Sequence, residues 1–337
     1  MKSADLDRRF MEMAFAEAEQ VKGRTLPNPP VGAILVKNGK VVGRGGTRPA
    51  GQAHAEILAL EQALGTAVGA TLYVTLEPCC HHGRTPPCTQ ALIAAGVKRV
   101  VVACSDPNPK VSGRGLSELR RAGIEVQAGL LRKRGEEFYE GFFFYIKQGR
   151  PKIVIKIAQS LDGRINAQGG VETKITGLES QRFVHLLRSR ADAILIGGET
   201  LRVDNPDLTP RRVGGATPQA LVLTRKNRLD KPFRLFSKNR QPPALTLSFS
   251  EKKLIPSLMD VFEQRGYHMV LLEGGRGVWT PFLNAGICDA FYLFTGPKLL
   301  PKGDRWDENL HPGWVKSLKF HRFTPFGPDV LAEFRRA

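Results

Sequence analysis

Between residues 31 and 126, short apolar runs alternate with amphipathic stretches that end on glycine, and this alternation restricts the fold more than any other feature of the chain. "VGAILV" predicts a strand, "KNGK" a hairpin turn and "KVVGRG" the returning strand, because an Asn-Gly pair supplies the positive φ angles of a tight two-residue turn. "AHAEILALEQALG" places Ile57, Leu58, Leu60 and Leu64 at helical spacing and stops at Gly65. "TLYVTLE" follows as a strand, "CTQALIAAG" as a helix, "VKRVVVACS" as a strand, "RGLSELRRAG" as a helix and "IEVQAG" as a strand. Strands that are apolar throughout, alternating with helices, require a sheet covered by helices. Ahead of this unit, Leu6, Phe10, Met13, Ala14 and Val21 fall along one face of an N-terminal helix.

The chain has 337 residues, more than the roughly 250 to 300 at which a single core stops growing, so two domains are expected. The stretch "RKRGEEFYEGFFFYIKQ" reads as one helix running into "GRPK", which divides the chain into residues 1–148 and 149–337. The second part begins again with a strand, "KIVIKIA", and a turn, "SLDGR". A helix "SQRFVHLLRSR" follows, then strands "ADAILIGG" and "HMVLLEGG", the latter running through glycines into a helix "VWTPFLNAG".

The formal charge of +18 favours anionic partners, whether nucleic acid, an acidic membrane face or phosphorylated small molecules. Lysine and arginine are spread along the whole chain with only short doublets such as Arg211-Arg212, which weakens the nucleic-acid reading. No apolar run approaches the ~18 to 20 residues of a membrane helix, and the N-terminus lacks the apolar stretch of a signal peptide, so a cytoplasmic protein without a membrane partner is expected. Three of the five cysteines, Cys79, Cys80 and Cys88, fall within ten residues, a pattern that argues for metal or catalysis over a disulfide framework. Cys104 and Cys288 sit in apolar surroundings and read as buried hydrophobes.

A catalytic zinc takes three protein ligands and keeps its fourth position for water. His54, Cys79 and Cys88 are the candidates, since "HAE" opens one helix, Cys88 opens the next and Cys79 ends a strand, which brings all three to one end of the sheet. Helix N-termini favour the thiolate that a metal binds. Glu56, two residues after His54, can lean over a site lying off the helix end and move protons without ligating. The competing reading is a structural zinc knot closed by His81, His82 or Cys80.

"HAE" followed by "EPC…C" resembles the zinc-dependent nucleobase deaminases, whose usual form is H-x-E with P-C-x-x-C. Here eight residues, "CHHGRTPP", separate Cys79 from Cys88. With "PNPPVG" and "DPNPKVSGRG" to either side, they resemble the deaminase half of the bacterial bifunctional riboflavin-biosynthesis deaminase–reductases. That likeness implies a cytidine-deaminase-like α/β/α sandwich, zinc on His54, Cys79 and Cys88, and Glu56 as the catalytic proton carrier. It also implies substrate contacts from Asn28, His81, Arg84 and Asn108, with Arg84 on a phosphate. Thr47 stands where the family often has histidine, and Cys80 where it has serine.

"KIAQSLDGRI", "ADAILIGGETLRVDNPDLTPR", "LLEGG" and "GPKLL" are similar to the reductase half of the same family, an α/β domain resembling dihydrofolate reductase. The likeness implies NADPH held near Ala158, Thr200, Asp204 and the loop Gly275, Arg276 and Gly277. It implies a phosphorylated pyrimidine substrate touching Lys156, Arg188, Leu208, Arg211 and Glu273; Lys156 and Asp204 are candidates for the proton donor, which the sequence does not decide. Lys174 replaces a family tryptophan and Glu172 a serine. A homo-oligomer that does not bind nucleic acid is expected. The alternative is a nucleic-acid-editing deaminase with a basic C-terminal binding domain, which would need stacking aromatics and a continuous basic groove.

Overall fold

The computed structural model describes residues 3–83, 85–167, 173–224, 232–248 and 253–337. It divides into two compact units, Met1–Gly149 and Arg150–Ala337.

The first unit runs α1 (Ser3–Val21), β1 (Gly32–Lys37), β2 (Lys40–Gly46), α2 (Ala55–Gln62), β3 (Thr71–Leu76), α3 (Cys88–Ala94), β4 (Arg99–Cys104), α4 (Arg114–Arg121), β5 (Glu125–Ala128), α5 (Arg132–Phe138) and α6 (Glu140–Gln148). Its five strands lie in the order β2-β1-β3-β4-β5, antiparallel across β2, β1 and β3 and parallel from β3 to β5. Asn38 and Gly39 both take positive φ in the β1–β2 turn, as the Asn-Gly pair requires. Strand residues alternate between two cores. Ala33, Leu35, Leu72, Val74, Val100 and Val102 pack with α2, α3 and α4. Ile34, Val36, Tyr73, Val101 and Ala103 pack with α1, Leu131 and Phe138. Apolar residues on both faces are what a sheet covered on two sides demands.

Two local expectations are revised. The buried face of α1 carries Asp7, Phe10, Met11, Ala14, Phe15 and Ala18, while Leu6, Met13 and Val21 lie at its margin. This rotated stripe follows the 3.6-residue repeat and includes an acid because Asp7 is paired: it accepts from Arg99 at 2.9 and 2.7 Å and from the Tyr73 hydroxyl at 2.5 Å. The helix expected over 132–148 breaks at Tyr139 (φ −95°, ψ 12°). The Tyr139 ring is buried, and its hydroxyl bonds Thr75 at 2.6 Å and the Pro30 carbonyl at 3.0 Å.

The Arg99 guanidinium and the Tyr73 hydroxyl hold the Asp7 carboxyl below the usual range, although burial opposes them. A carboxyl depressed by folding stabilises the fold above its unfolded pKa, and that contribution is lost as pH falls through the folded value. Asp7→Asn is therefore expected to cost about 2 kcal/mol at pH 7. The difference from wild type should close below pH 4, as read from unfolding midpoints of the first unit across pH. A deficit independent of pH would refute this.

Helix α2 approaches β2 so closely that a Cβ on Gly43 would lie 2.0 Å from the Ala59 carbonyl oxygen, and one on Gly45 would lie 2.3 Å from that of Ala55. Two glycines on one face of the strand thus set the depth of the helix that begins at His54. Gly45→Ala is expected to cost about 1 to 3 kcal/mol by overpacking, visible as a lower unfolding temperature. An unchanged temperature would mean that α2 can shift freely on the sheet.

The second unit runs β6 (Lys152–Gln159), α7 (Leu178–Arg190), β7 (Ala193–Gly197), α8 (Gly198–Asp204), β8 (Gln219–Leu223), β9 (Leu245–Leu247), α9 (Leu254–Gln264), β10 (Met269–Glu273), α10 (Arg276–Asn284), β11 (Ala290–Thr295), β12 (Leu318–Phe326) and β13 (Asp329–Arg336). The order is β12-β13-β11-β6-β10-β7-β8-β9, with β6 to β11 parallel and β13 and β12 added antiparallel. Val154, Ile194, Ile196 and Leu271 form one core with Val184 and Leu187 of α7. The parallel register sets Lys156, in the C-terminal half of β6, beside Glu273, the last residue of β10, toward the edge where open α/β sheets bind ligands. Among the described residues no helix is long and apolar enough to cross a membrane.

Candidate functional site

In the first unit the site grows from the end of β3. The chain leaves the sheet at Glu77, whose buried carboxylate accepts from the backbone N–H groups of Asp106 (3.3 Å), Gly113 (3.0 Å), Gly115 (3.1 Å) and Leu116 (3.3 Å). One side chain thereby fixes both the strand that delivers Cys79 and the loop that carries Asn108. Glu77 stands in the "EPC" motif, yet the sequence gives no sign of this role because its four partners lie 29 to 39 residues away.

His54 occupies the N-cap position of α2, but its ring makes no capping bond and is free to meet the two cysteines. His54 Nδ1 lies 3.6 Å from Cys79 Sγ and 3.3 Å from Cys88 Sγ. Tetrahedral zinc with bonds of about 2.3 Å to sulfur and 2.0 to 2.1 Å to nitrogen would set such pairs about 3.6 Å apart, so the triad fits the ion. Among the described residues these three make up the group able to hold a metal. Cys80 points its sulfur instead toward the Lys110 carbonyl at 3.7 Å, and neither His81 nor His82 joins the group, so a structural knot lacks its fourth protein ligand.

The neighbouring Cys88 thiol, with His54 and the Cys88 backbone N–H that donates to Cys79 Sγ at 3.4 Å, pushes the Cys79 thiol well below its usual range. The thiolate in turn holds the Cys88 proton on. His54 is raised by its contact with Cys79. Glu56 is 3% exposed and hydrogen-bonded to Cys88; burial, reinforced by the Cys79 charge, pushes its carboxyl up to about 7. A carboxyl that exchanges its proton near neutrality, set against three soft ligands, suits general acid–base work.

The other expected contacts are less converged. Asn28 has its backbone fixed by Thr25 at 2.9 Å in both directions. Asn108 spends its side-chain oxygen on the Lys110 N–H at 3.0 Å. His81 Nδ1 is buried without a partner among the described residues. Arg84 and Glu172 lie outside the described residues. Thr47, which replaces the family histidine, bonds both the N–H and the carbonyl of Val31 through its hydroxyl at 3.3 Å, so it serves the backbone. Cys104 and Cys288 are buried, and burial pushes both thiols up, Cys104 to about 11.

In the second unit a charged cluster forms at the strand ends. Arg188 donates twice to Glu273, at 2.7 and 2.8 Å, and the pair is largely buried. Lys156 is pushed below its usual range by burial, against the pull of Glu273. Burial raises Glu273, but Arg188 and Lys156 outweigh it and leave the carboxyl below its usual value. The Thr200 hydroxyl accepts from the Gly275 N–H at 3.1 Å and ties the glycine loop to α8. Among the described residues a Cβ on Gly277 would meet nothing and one on Gly275 only Thr200, so their packing does not require glycine at either position; close approach of a dinucleotide would. Arg276 pairs with Asp304 and Glu308, and Arg211 is exposed and pairs with Asp207 at 3.0 Å. Ala158 packs against the core and Leu208 is buried.

Comparison with known proteins places both halves. The family described as the RibD C-terminal domain matches residues 151–332, and the cytidine and deoxycytidylate deaminase zinc-binding region matches residues 4–104. The riboflavin biosynthesis protein RibD of Aquifex aeolicus is 41% identical, with 98% of this chain and 99% of that protein covered. Its Escherichia coli counterpart is 37% identical over 96% of this chain and 98% of its own. A solved Thermotoga maritima deaminase/reductase superposes with a TM-score of 0.75 at 35% identity, with both chains wholly covered. A second solved structure, Acinetobacter baumannii RibD, gives 0.73 at 32% identity, covering 99% of this chain and all of the other. A match that continues through the second unit disfavours a nucleic-acid-binding appendage there. The chain belongs to the RibD family of bifunctional riboflavin-biosynthesis enzymes, with a zinc-binding deaminase and a reductase on one polypeptide.

Proposed function

We propose that residues 1–148 deaminate 2,5-diamino-6-(5-phosphoribosylamino)pyrimidin-4(3H)-one, and that residues 149–337 reduce the ribosyl chain of the product to ribityl. The observation that carries the reading is the His54, Cys79 and Cys88 cluster with the buried Glu56 carboxyl set against it. The Thermotoga relative is described as carrying the corresponding deaminase and reductase activities.

Zinc on His54, Cys79 and Cys88 supplies Lewis acidity when bound. Glu56 takes a proton from the attacking water and hands it to the departing amino nitrogen, so that water replaces ammonia at the ring carbon. His81, with its orphaned Nδ1, and Asn28 and Asn108 hold the ring and ribose; Arg84 takes the phosphate on its chemistry alone. In the second unit NADPH supplies the hydride when bound. Ala158, Thr200, Asp204, Gly275, Arg276 and Gly277 would hold it. Lys156, Arg188, Leu208, Arg211 and Glu273 face the substrate, and Lys156 or Asp204 delivers the proton. Arg188 is already committed to Glu273, which leaves the exposed Arg211 to meet the phosphate. The working protein is a cytoplasmic homo-oligomer that acts on small molecules and not on nucleic acid.

The test follows ammonia release and NADPH oxidation together on the zinc-loaded protein given the diaminopyrimidinone ribotide. Ammonia followed by NADPH loss is expected. No ammonia from metallated protein would overturn the substrate assignment, and ammonia without NADPH loss would overturn the second step.

A further inference from the structure

The segment from Asn205 to Arg211 carries two residues read above as substrate contacts, and its backbone is in an unusual state. Asn205 and Leu208 both take positive φ, 38° and 57°, and Leu208 is 2% exposed. A buried leucine adopts the left-handed region only when its surroundings leave no alternative.

The surroundings provide that constraint through a side chain that no motif flagged. Arg240 is 9% exposed and has no carboxylate bonded to it among the described residues. Its guanidinium donates to two backbone carbonyls, Asp207 at 2.6 Å and Pro218 at 3.2 Å, while its Nε is buried without a partner among the described residues. Burying a guanidinium whose bonds run to carbonyls is costly; burial lowers its pKa although the Asp207 charge opposes it, so a chain that keeps it there gains something from the geometry. Three further contacts converge on the same loop. The Arg234 N–H donates to Asn205 Oδ1 at 2.9 Å. The Asp207 carboxylate accepts from the Thr209 N–H at 2.6 Å and from its hydroxyl. His185, 4% exposed and one turn ahead of Arg188 on α7, lies close enough to the Thr209 backbone for it to favour a proton on the ring. Its Nδ1 has no partner among the described residues, so the contact falls to Nε2.

We propose that Arg240, assisted by His185, is a positioning residue of the reductase site: it clamps the Asp207–Thr209 backbone from beneath so that Leu208 and Arg211 present one fixed edge to the phosphorylated substrate. The inference rests on the assignment of Leu208 and Arg211 to substrate made above. Apart from Asp204, which directly precedes the segment, the cofactor contacts assigned above (Ala158, Thr200 and the loop Gly275 to Gly277) lie on other elements, so the clamp acts chiefly on the ribotide.

The test uses the full-length protein, the deaminated ribotide 5-amino-6-(5-phosphoribosylamino)uracil, and NADPH. Arg240→Met, which keeps the aliphatic stem and removes the donors, is expected to raise KM for the ribotide about tenfold or more while KM for NADPH stays within about twofold. Arg240→Lys, with a donor that reaches one carbonyl at a time, should fall between Arg240→Met and wild type. His185→Gln, which retains an N–H donor, should stay near wild type, whereas His185→Leu should raise the ribotide KM. An unchanged ribotide KM in Arg240→Met overturns the proposal. So does an equal rise in both KM values, the mark of a merely structural residue. If Arg240→Met does not fold, the same ratio in Arg240→Lys decides. Arg211→Gln separates the two readings: if it too leaves the ribotide KM unchanged, the substrate assignment fails; if it raises KM while the Arg240 variants do not, only the clamp fails.

Discussion

Glu56→Gln is expected to slow ammonia release by about 10² to 10⁴-fold while leaving zinc content and the reduction of the deaminated intermediate intact. The substitution is nearly isosteric, and Glu56 is not one of the three groups that can hold the metal, so the His54, Cys79 and Cys88 triad has no reason to move. What disappears is a carboxyl poised by burial to gain and lose a proton near neutral pH. The amide can still bond Cys88 but cannot carry the proton from water to the leaving nitrogen. Three measurements on one preparation decide the matter: ammonia release, zinc by atomic absorption, and NADPH oxidation with supplied intermediate. Loss of zinc along with activity would make Glu56 a structural residue, and wild-type ammonia release would remove it from the chemistry.

Glu273→Gln carries the largest expected effect in the second unit. Glu273 is the carboxylate that compensates both Arg188, through two hydrogen bonds, and Lys156, its register neighbour across β6 and β10. Removing one partner of a buried ion pair leaves a charge that water cannot reach, at a cost of about 3 to 5 kcal/mol. The sign of the pH dependence follows. With the carboxylate gone, burial and Arg188 act on the charged form of Lys156 against only the weaker pull of Asp204, so its pKa falls further. The stability deficit should therefore shrink as pH rises and Lys156 sheds its proton. Denaturant midpoints of the second unit, measured against pH, test this. A deficit that stays constant up to pH 10 would show that Lys156 does not feel Glu273.

Much of the first unit could be read in advance because its signals are local. The Asn-Gly turn, the glycine stops after the helices and the unbroken apolar strands each constrain a few neighbouring residues, and β1 to β5 fall where those signals lie. The burial of α1 was harder. Its stripe includes an aspartate, and only contact with Arg99 and Tyr73 explains why an acid is inside. The end of the second unit had no comparable pattern. Most of β12 is exposed on successive residues, so it lacks the alternation by which a half-buried strand announces itself, and it is held by pairing with β13.

The candidate sites divide in the same way. By itself the sequence determined the chemical kind of the first site, since three soft ligands at helix and strand ends with an acid beside one of them are a property of spacing. It determined the two-domain plan for the same reason, through length and the restart of the strand pattern after residue 149. Only the tertiary structure decided which side chains hold the sites in shape. Glu77 collects four amides from another loop, Glu273 neutralises cations from a neighbouring strand and a helix, and Arg240 reaches back 33 residues to a carbonyl. A buried charge is tolerated only where its partners stand, and those partners are brought together by packing across the sheet, at separations that no local pattern encodes.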